Sequence, residues 1–176
     1  MTALAAGRVT IREVGSAADG RAVALLVTAM FRLFRERNPA LLEAIDDYMA
    51  RQDVEGEIAA LVARGPGAGR ACLIAELDGA PVGTLMLKPV AEDICEMNRM
   101  FVQEDARGFG IGRALVLELM TVARRLGYTR MRLSSLTTNR EALPLYAAMG
   151  FEPDPNPDAD NPDKDADHVV HLIRDL

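Results

Sequence analysis

Residues 107–112, Arg107-Gly108-Phe109-Gly110-Ile111-Gly112, read "RGFGIG" and decide how the rest of the chain is understood. The strand-like run "CEMNRMFV" (95–102) lies before them and the helical run "RALVLELMTVARRLG" (113–127) after them. Glycine at every second position frees backbone angles that other residues avoid and keeps a Cβ out of the way of a bulky group. The first amides of a helix have no carbonyl to bond and point outward at its positive end, so the turn suits a phosphate. Arg107 and Arg113 add charge-assisted contacts to an anion. The stretch lacks the G-K-[ST] ending of a P-loop, and the strand before it carries charge, unlike the first strand of a dinucleotide fold. A tight connection that uses glycine only for packing is the alternative at this point.

Outward from the turn, strands and helices alternate. "RVTIREV" (8–14) is a first strand, and Ser16 then caps a helix whose Val23, Leu26, Val27, Met30 and Phe34 recur at helical spacing until Asn38-Pro39. "ALLEAIDDYMA" (40–50) and "VEGEIAALVA" (54–63) are helical, before the break "RGPGAG" (64–69). "CLIAEL" and "PVGTLMLK" form a hairpin around Asp78-Gly79, and "DICEMNRMFV" (93–102) is the next strand. After the helix marked by Leu115, Leu119, Val122 and Leu126 come the strand "TRMRLSSL" (129–136), the short helix "NREALPLYAAMG" (139–150) and the strand "HVVHLIRDL" (168–176). The order predicts an α/β or α+β sheet whose middle strands run parallel.

The chain has 176 residues, 49% apolar and 26% charged, enough for one core and short for two domains. A single domain over 1–176, with a flexible start at 1–7, is expected. No basic start or apolar stretch of leader length opens the sequence, and "AVALLVTAMFRLF" (22–34) is short and broken by Arg32. A cytoplasmic protein with no membrane contact is therefore expected. Glu152–Asp167 carries seven acids against Lys164, which accounts for the whole net charge of −6. Four prolines exclude helix or central strand from this loop. No basic stripe suggests nucleic acid. Cys72 and Cys95 read as buried thiols, and His168 and His171 fall on opposite strand faces, so no metal site is expected. Met97, Met100, Met120, Met131 and Met149 read as core.

Arg107, Gly110 and Gly112 match the signature [QR]-x-x-G-x-[GA], and "NREALPLYAAMGF" matches N-x-x-A-x-x-L-Y-x-x-x-G-F through Asn139, Tyr146, Gly150 and Phe151. On these motifs the chain resembles the GNAT superfamily of acyl-CoA-dependent N-acetyltransferases. The resemblance follows element order over about residues 8–174, with both motifs in the second half. It implies one mixed, mostly antiparallel sheet of six to seven strands, a parallel splayed pair in its middle and about four helices. It also implies that the backbone of Gly108, Phe109, Gly110, Ile111, Gly112 and Arg113 cradles the pyrophosphate of acetyl-CoA. The edge of Met100, Phe101 and Val102 would pair with the pantetheine amides, and Asn139 would touch the cofactor arm, with a helix N-cap as its other reading. No metal is implied.

Acyl transfer to an amine needs a base, because an alkylammonium titrates near roughly 10, and an acid for a thiolate that titrates near roughly 8.5. Glu96 is a candidate base. Period-two alternation puts it on the face of Met100 and Val102, and its spacing resembles that of the base in histone-acetylating relatives. Its other reading is an ion pair with Arg130 or Arg132. Tyr146 is the candidate acid, with a core tyrosine as the alternative, and Pro144 inside its helix bears on its orientation. The expected activity is transfer of acetyl from acetyl-CoA to an amine by direct attack in a ternary complex. A non-catalytic acyl-CoA-binding or interaction module is the other class. A cationic acceptor, drawn in by the acidic loop, stays open beside a merely solvated loop, and so does a homodimer.

Overall fold

The computed structural model describes residues 8–64, 69–157, 163 and 166–176. Strands β1 (Val9–Glu13), β2 (Ala71–Leu77), β3 (Ala80–Pro89), β4 (Ile94–Val102), β5 (Arg130–Leu136), β6 (Glu152–Pro153) and β7 (Val169–Asp175) form one sheet in the order β1-β2-β3-β4-β5-β7-β6. Only β4 and β5 run parallel, joined by a crossover helix, and the other neighbours are antiparallel. Helices are α1 (Ala17–Arg37), α2 (Leu42–Ala50), α3 (Val54–Arg64), α4 (Ile111–Arg125) and α5 (Ala142–Ala148). Among the described residues there are five α-helices, in keeping with the about four expected around the sheet. No helix among the described residues is long and apolar enough to cross a membrane.

Local chemistry sets the boundaries. Ser16 Oγ accepts from the Asp19 amide at 3.1 Å, and the Asp19 carboxylate accepts from the Ser16 amide at 3.0 Å, a reciprocal cap at the start of α1. Asp78 and Gly79 both have positive φ, 52° and 83°, which matches the right-handed twist of the β2–β3 hairpin. Among the described residues after Phe151, Pro153, Pro155 and Pro157 go with a strand of just two residues, β6, at the edge of the sheet. Arg132 holds this segment to the sheet, pairing with Asp154 at 2.8 Å and donating to the Asn156 carbonyl at 2.6 Å. Of the acids beyond, Asp163 pairs with Arg51 at 2.8 Å, while Asp158, Asp160 and Asp165 lie outside the described residues.

The sheet is packed on both faces. Leu73, Leu85, Leu87, Met97, Met131 and Leu133 meet Ile111, Leu115, Leu119 and Val122 of α4, as that helix's apolar stripe requires. Cys72, Ile74, Met86 and Phe101 meet Val23, Leu26, Val27 and Met30 of α1 on the other face. Each such side chain contributes about 1.5–3 kcal/mol of burial. Both cysteines are buried thiols, and of the methionine set only Met100 is half-exposed.

Two irregularities in β4 make the site. Its pairing with β3 runs Thr84↔Phe101 and then Met86↔Asn98, so β4 has one extra residue, and Arg99 sits in the bulge at φ 53°. The insertion exchanges the faces. Cys95 and Met97 belong to the α4 layer and so do Met100 and Val102, whereas Phe101 joins the α1 layer. The expectation that Glu96 shares a face with Met100 and Val102 therefore fails, because strict alternation assumes an unbroken ladder. The second irregularity is a parting of strands. β4 and β5 pair only at Ile94↔Arg130, Cys95↔Met131 and Glu96↔Arg132, although β4 continues to Val102 and β5 to Leu136.

Candidate active site

The glycines of the turn have two different jobs. Gly108 and Gly110 adopt φ of 87° and 75°, and a Cβ on either would meet nothing within 4 Å. Gly110 caps α4, and its carbonyl takes the Ala114 amide at 3.0 Å, so the amides of residues 111–113 have no helical acceptor. At Gly112 a Cβ would lie 2.9 Å from Met100 Cε, so this glycine leaves room for the end of the Met100 side chain. Ile111 anchors the turn in the core, while Phe109 is 48% exposed and Arg113 faces solvent. Arg107 was expected to offer its charge to an anion. Instead its Nε donates to the Val102 carbonyl at 3.2 Å and its Nη1 lies 3.4 Å from Glu104 and 3.6 Å from Glu141, bracing the turn against the end of β4.

Where β4 and β5 part, two cavities meet. The outer, of about 380 Å³, runs past the turn, Met100, Phe101 and Val102. The inner, of about 340 Å³, lies beneath α1 and α2. Phe34, Met100, Leu136 and Asn139 line both. The end of α1 is tied to the segment after β5 beside this junction. Thr138 Oγ1 donates to the buried Asn38 Oδ1 at 2.6 Å, and Arg37 bonds Glu141 at 2.6 Å and Glu104 at 2.7 Å. The charged members of this clasp are partly exposed, so each pair is worth at most about 1 kcal/mol.

Tyr146 is 5% exposed and lines the inner cavity, its hydroxyl donating to Met100 Sδ at 3.4 Å and its ring edge-on to Phe151 at 5.9 Å. Burial pushes the phenol above its usual range, so it stays protonated at neutral pH. Pro144 is the third residue of α5, in the first turn where no amide needs a helical acceptor, so it leaves the helix intact. Asn139 does not cap that helix; the cap position is Glu141. Asn139 instead donates from Nδ2 to Ser135 Oγ at 3.3 Å and faces both cavities. Glu96 lines the inner cavity and pairs with Lys88 of β3 at 3.0 Å. Arg130 and Arg132, its partners in the alternative reading, bind Asp93 and Asp154.

The inner wall built by α1 and α2 has no counterpart in the sequence reading. Phe31 stacks edge-on with Phe34 at 6.3 Å and leans on Tyr48 at 6.2 Å, and all three line the cavity. Arg99 lies on the same wall with 1% of its side chain exposed, paired with Glu57 and donating to Gln52 Oε1 at 3.0 Å. An arginine in the middle of an apolar strand was its visible signal. Among the described residues no group of three or more His, Cys, Asp or Glu is placed to hold a metal ion.

A family model described as Acetyltransferase (GNAT) family matches residues 27–151, from the middle of α1 to the Phe that follows α5. An uncharacterized N-acetyltransferase of Schizosaccharomyces pombe is 32% identical over 103 residues, 57% of this chain and 63% of that protein. The uncharacterized N-acetyltransferase YjgM of Escherichia coli is 34% identical over 87 residues, 48% of this chain and 52% of its own length. The chain therefore spans about half to two-thirds of these relatives. Among solved structures, the PaiA N-acetyltransferase of Thermoplasma acidophilum in complex with coenzyme A matches with a TM-score of 0.71 over 96% of this chain and 99% of that one, at 17% identity. An acetyltransferase from Streptococcus agalactiae matches with a TM-score of 0.68 over 96% and 98%, at 20% identity. At such identities the likeness is one of fold, while the matched family segment covers both motifs, the splayed strands and α4 between them. The chain belongs to the GNAT family of acetyltransferases.

Proposed function

We propose that this chain transfers an acetyl group from acetyl-CoA to an amine by direct attack of nitrogen on the thioester. The observation that carries this is the parting of β4 and β5 beside an anion-ready turn, which joins an outer cavity to an inner one. A solved structure of the same fold is a complex with coenzyme A, which supports a donor of that class here. In this reading the amides of 108–113 hold the pyrophosphate at the positive end of α4, and the edge of β4 that β5 leaves uncovered at Met100–Val102, where Arg107 already takes the Val102 carbonyl, bonds the pantetheine amides. The thioester then reaches the junction at Met100 and Asn139, and the amine enters from the inner cavity.

The amine loses a proton, its nitrogen bonds the acetyl carbon, the C–S bond breaks and the sulfur takes a proton. Tyr146 is the donor to sulfur, because a buried neutral phenol can give a proton but is a poor base. Glu96, held by Lys88, receives the amine's proton from the inner cavity. Each such group contributes about 10²- to 10⁴-fold, and alignment of thioester and amine contributes much of the rest. Attraction of a cationic acceptor by the acidic segment rests on Asp158, Asp160 and Asp165, outside the described residues.

The test is release of free thiol from acetyl-CoA with and without a mixed pool of amines. Amine-dependent release is expected. A protein whose melting temperature rises with coenzyme A but which releases no thiol with any amine would be a binding module instead.

A further inference from the structure

Two neighbouring residues that line the inner cavity each carry a buried polar atom without a partner, Asn98 Oδ1 and Arg99 Nε. They lie on consecutive residues at the β4 bulge, where Arg99 is held in a left-handed conformation that a bulky residue adopts only under constraint. Its guanidinium is otherwise occupied, Nη1 by Glu57 at the start of α3 and Nη2 by Gln52 in the link after α2. These contacts fix the plane of the group and leave the Nε–H as an unused donor. Buried donors and acceptors are almost always satisfied, so a neighbouring donor and acceptor left over beside a cavity call for an explanation, and a ligand that bonds both supplies one. One atom wants an oxygen and its neighbour wants an N–H.

The rest of the cavity narrows the choice. The described cations lining it are each paired, Arg51 with Asp163, Lys88 with Glu96 and Arg99 with Glu57, so none brings an uncompensated charge. The adjacent Nε–H donor and Oδ1 acceptor suit an acceptor that carries a hydrogen-bond-accepting group, such as a carboxylate, next to its amine. Phe31, Phe34 and Tyr48 form an apolar side for a hydrocarbon or aromatic body. A volume of about 340 Å³ is at the small end of the roughly 300–1,000 Å³ of small-molecule sites.

We propose that the acceptor is a free α-amino acid with an apolar side chain, its carboxylate taken by Arg99 Nε–H and its amine by Asn98 Oδ1. This rests on the acetyl-transfer reading and specifies its substrate. The carboxylate is recognised by a guanidinium whose geometry is set in advance by Glu57 and Gln52. A lysine there could keep the charge towards Glu57 but has no Nε–H to give.

The experiment compares matched amines as acceptors from acetyl-CoA: phenylalanine with phenethylamine, and leucine with 3-methylbutylamine. The wild type should favour each amino acid in kcat/KM. Arg99→Lys should cut that preference by about ten- to a hundredfold, the worth of one hydrogen bond to a charged group, with the thermal shift by coenzyme A unchanged. A merely structural Arg99 would lower both members of a pair together and leave the ratio alone, and that result overturns the proposal. So does a wild type that acetylates the decarboxylated amines equally well, a comparison that needs no folded variant. Acetylation of other amines from a mixed pool but of neither amino acid removes this inference and keeps the transferase reading; no transfer to any amine removes both.

Discussion

Gly110→Ala separates the two demands made on the phosphate turn. In the free protein the added methyl enters open space, since a Cβ there meets nothing within 4 Å, so the only cost is the backbone at φ 75°. A left-handed alanine costs about 1–2 kcal/mol, and at about 2–4 °C per kcal/mol for a chain of this size the melting temperature should fall by about 2–8 °C. Coenzyme A at a hundred times its dissociation constant should stabilise the wild type by about 2.7 kcal/mol, a rise of about 5–11 °C on the same scale. In Gly110→Ala that rise should vanish, because the methyl stands where the phosphate would approach the amides of 111–113. Gly79→Ala is the matched control. Its φ is 83° and its Cβ also meets nothing within 4 Å, but it lies in the β2–β3 hairpin, so it should lose similar stability and keep the full rise. The assay is thermal denaturation of the three proteins with and without coenzyme A. A full ligand shift in folded Gly110→Ala would sink the phosphate reading of the turn.

Tyr146→Phe should lower kcat by about 10² or more with little change in coenzyme A affinity, because only the hydroxyl against Met100 Sδ is removed; equal kcat would leave Tyr146 a core residue. Glu96→Gln should push activity to higher pH, where the amine is already neutral, and an unaltered pH profile would make Glu96 only the partner of Lys88. Burial pushes both the Cys72 and Cys95 thiols up from 9.0 to about 12. Between those values the unfolded chain gives up thiol protons that the folded one keeps, so stability should fall as pH rises above about 9, by about 1.4 kcal/mol per unit for each thiol. Urea midpoints at rising pH read this out; Cys72→Ala should flatten the fall, and a level wild-type curve would deny it.

What the sequence made legible was local. Ser16 marks the start of α1, Asp78-Gly79 marks a hairpin, and the alternation of strands with α4 and α5 gives a mixed sheet with its parallel pair in the middle. What it hid depends on residues far apart. The Lys88–Glu96 pair follows from the β3–β4 register, and a register with a bulge cannot be counted from one strand. Arg99 finds Glu57 and Gln52 only when α3 closes on the sheet, and the aromatic wall of the inner cavity exists only when α1 and α2 roof the splay. Asn139 looked like a cap because Asn favours that position, but the helix begins three residues later with Pro144 in its first turn.

The bulge also explains why the last glycine of "RGFGIG" differs from the first two. Without the extra residue, Met100 would continue the face of Glu96 and Asn98 and point towards α1. With it, Met100 turns to the α4 side, where its methyl takes the space a Cβ at 112 would need and its sulfur takes the Tyr146 hydroxyl. One inserted residue therefore bears on three features at once: the methyl of Met100 set against Gly112, a tyrosine of the second motif held at the junction of the cavities, and Arg99 in the bulge beside the inner cavity. The two motifs lie 27 residues apart at Gly112 and Asn139, but through Met100 they depend on a single register shift in β4. A variant that removes the bulge should disturb the turn, the tyrosine and the inner cavity together, since none of the three contacts survives a return of Met100 to the other face.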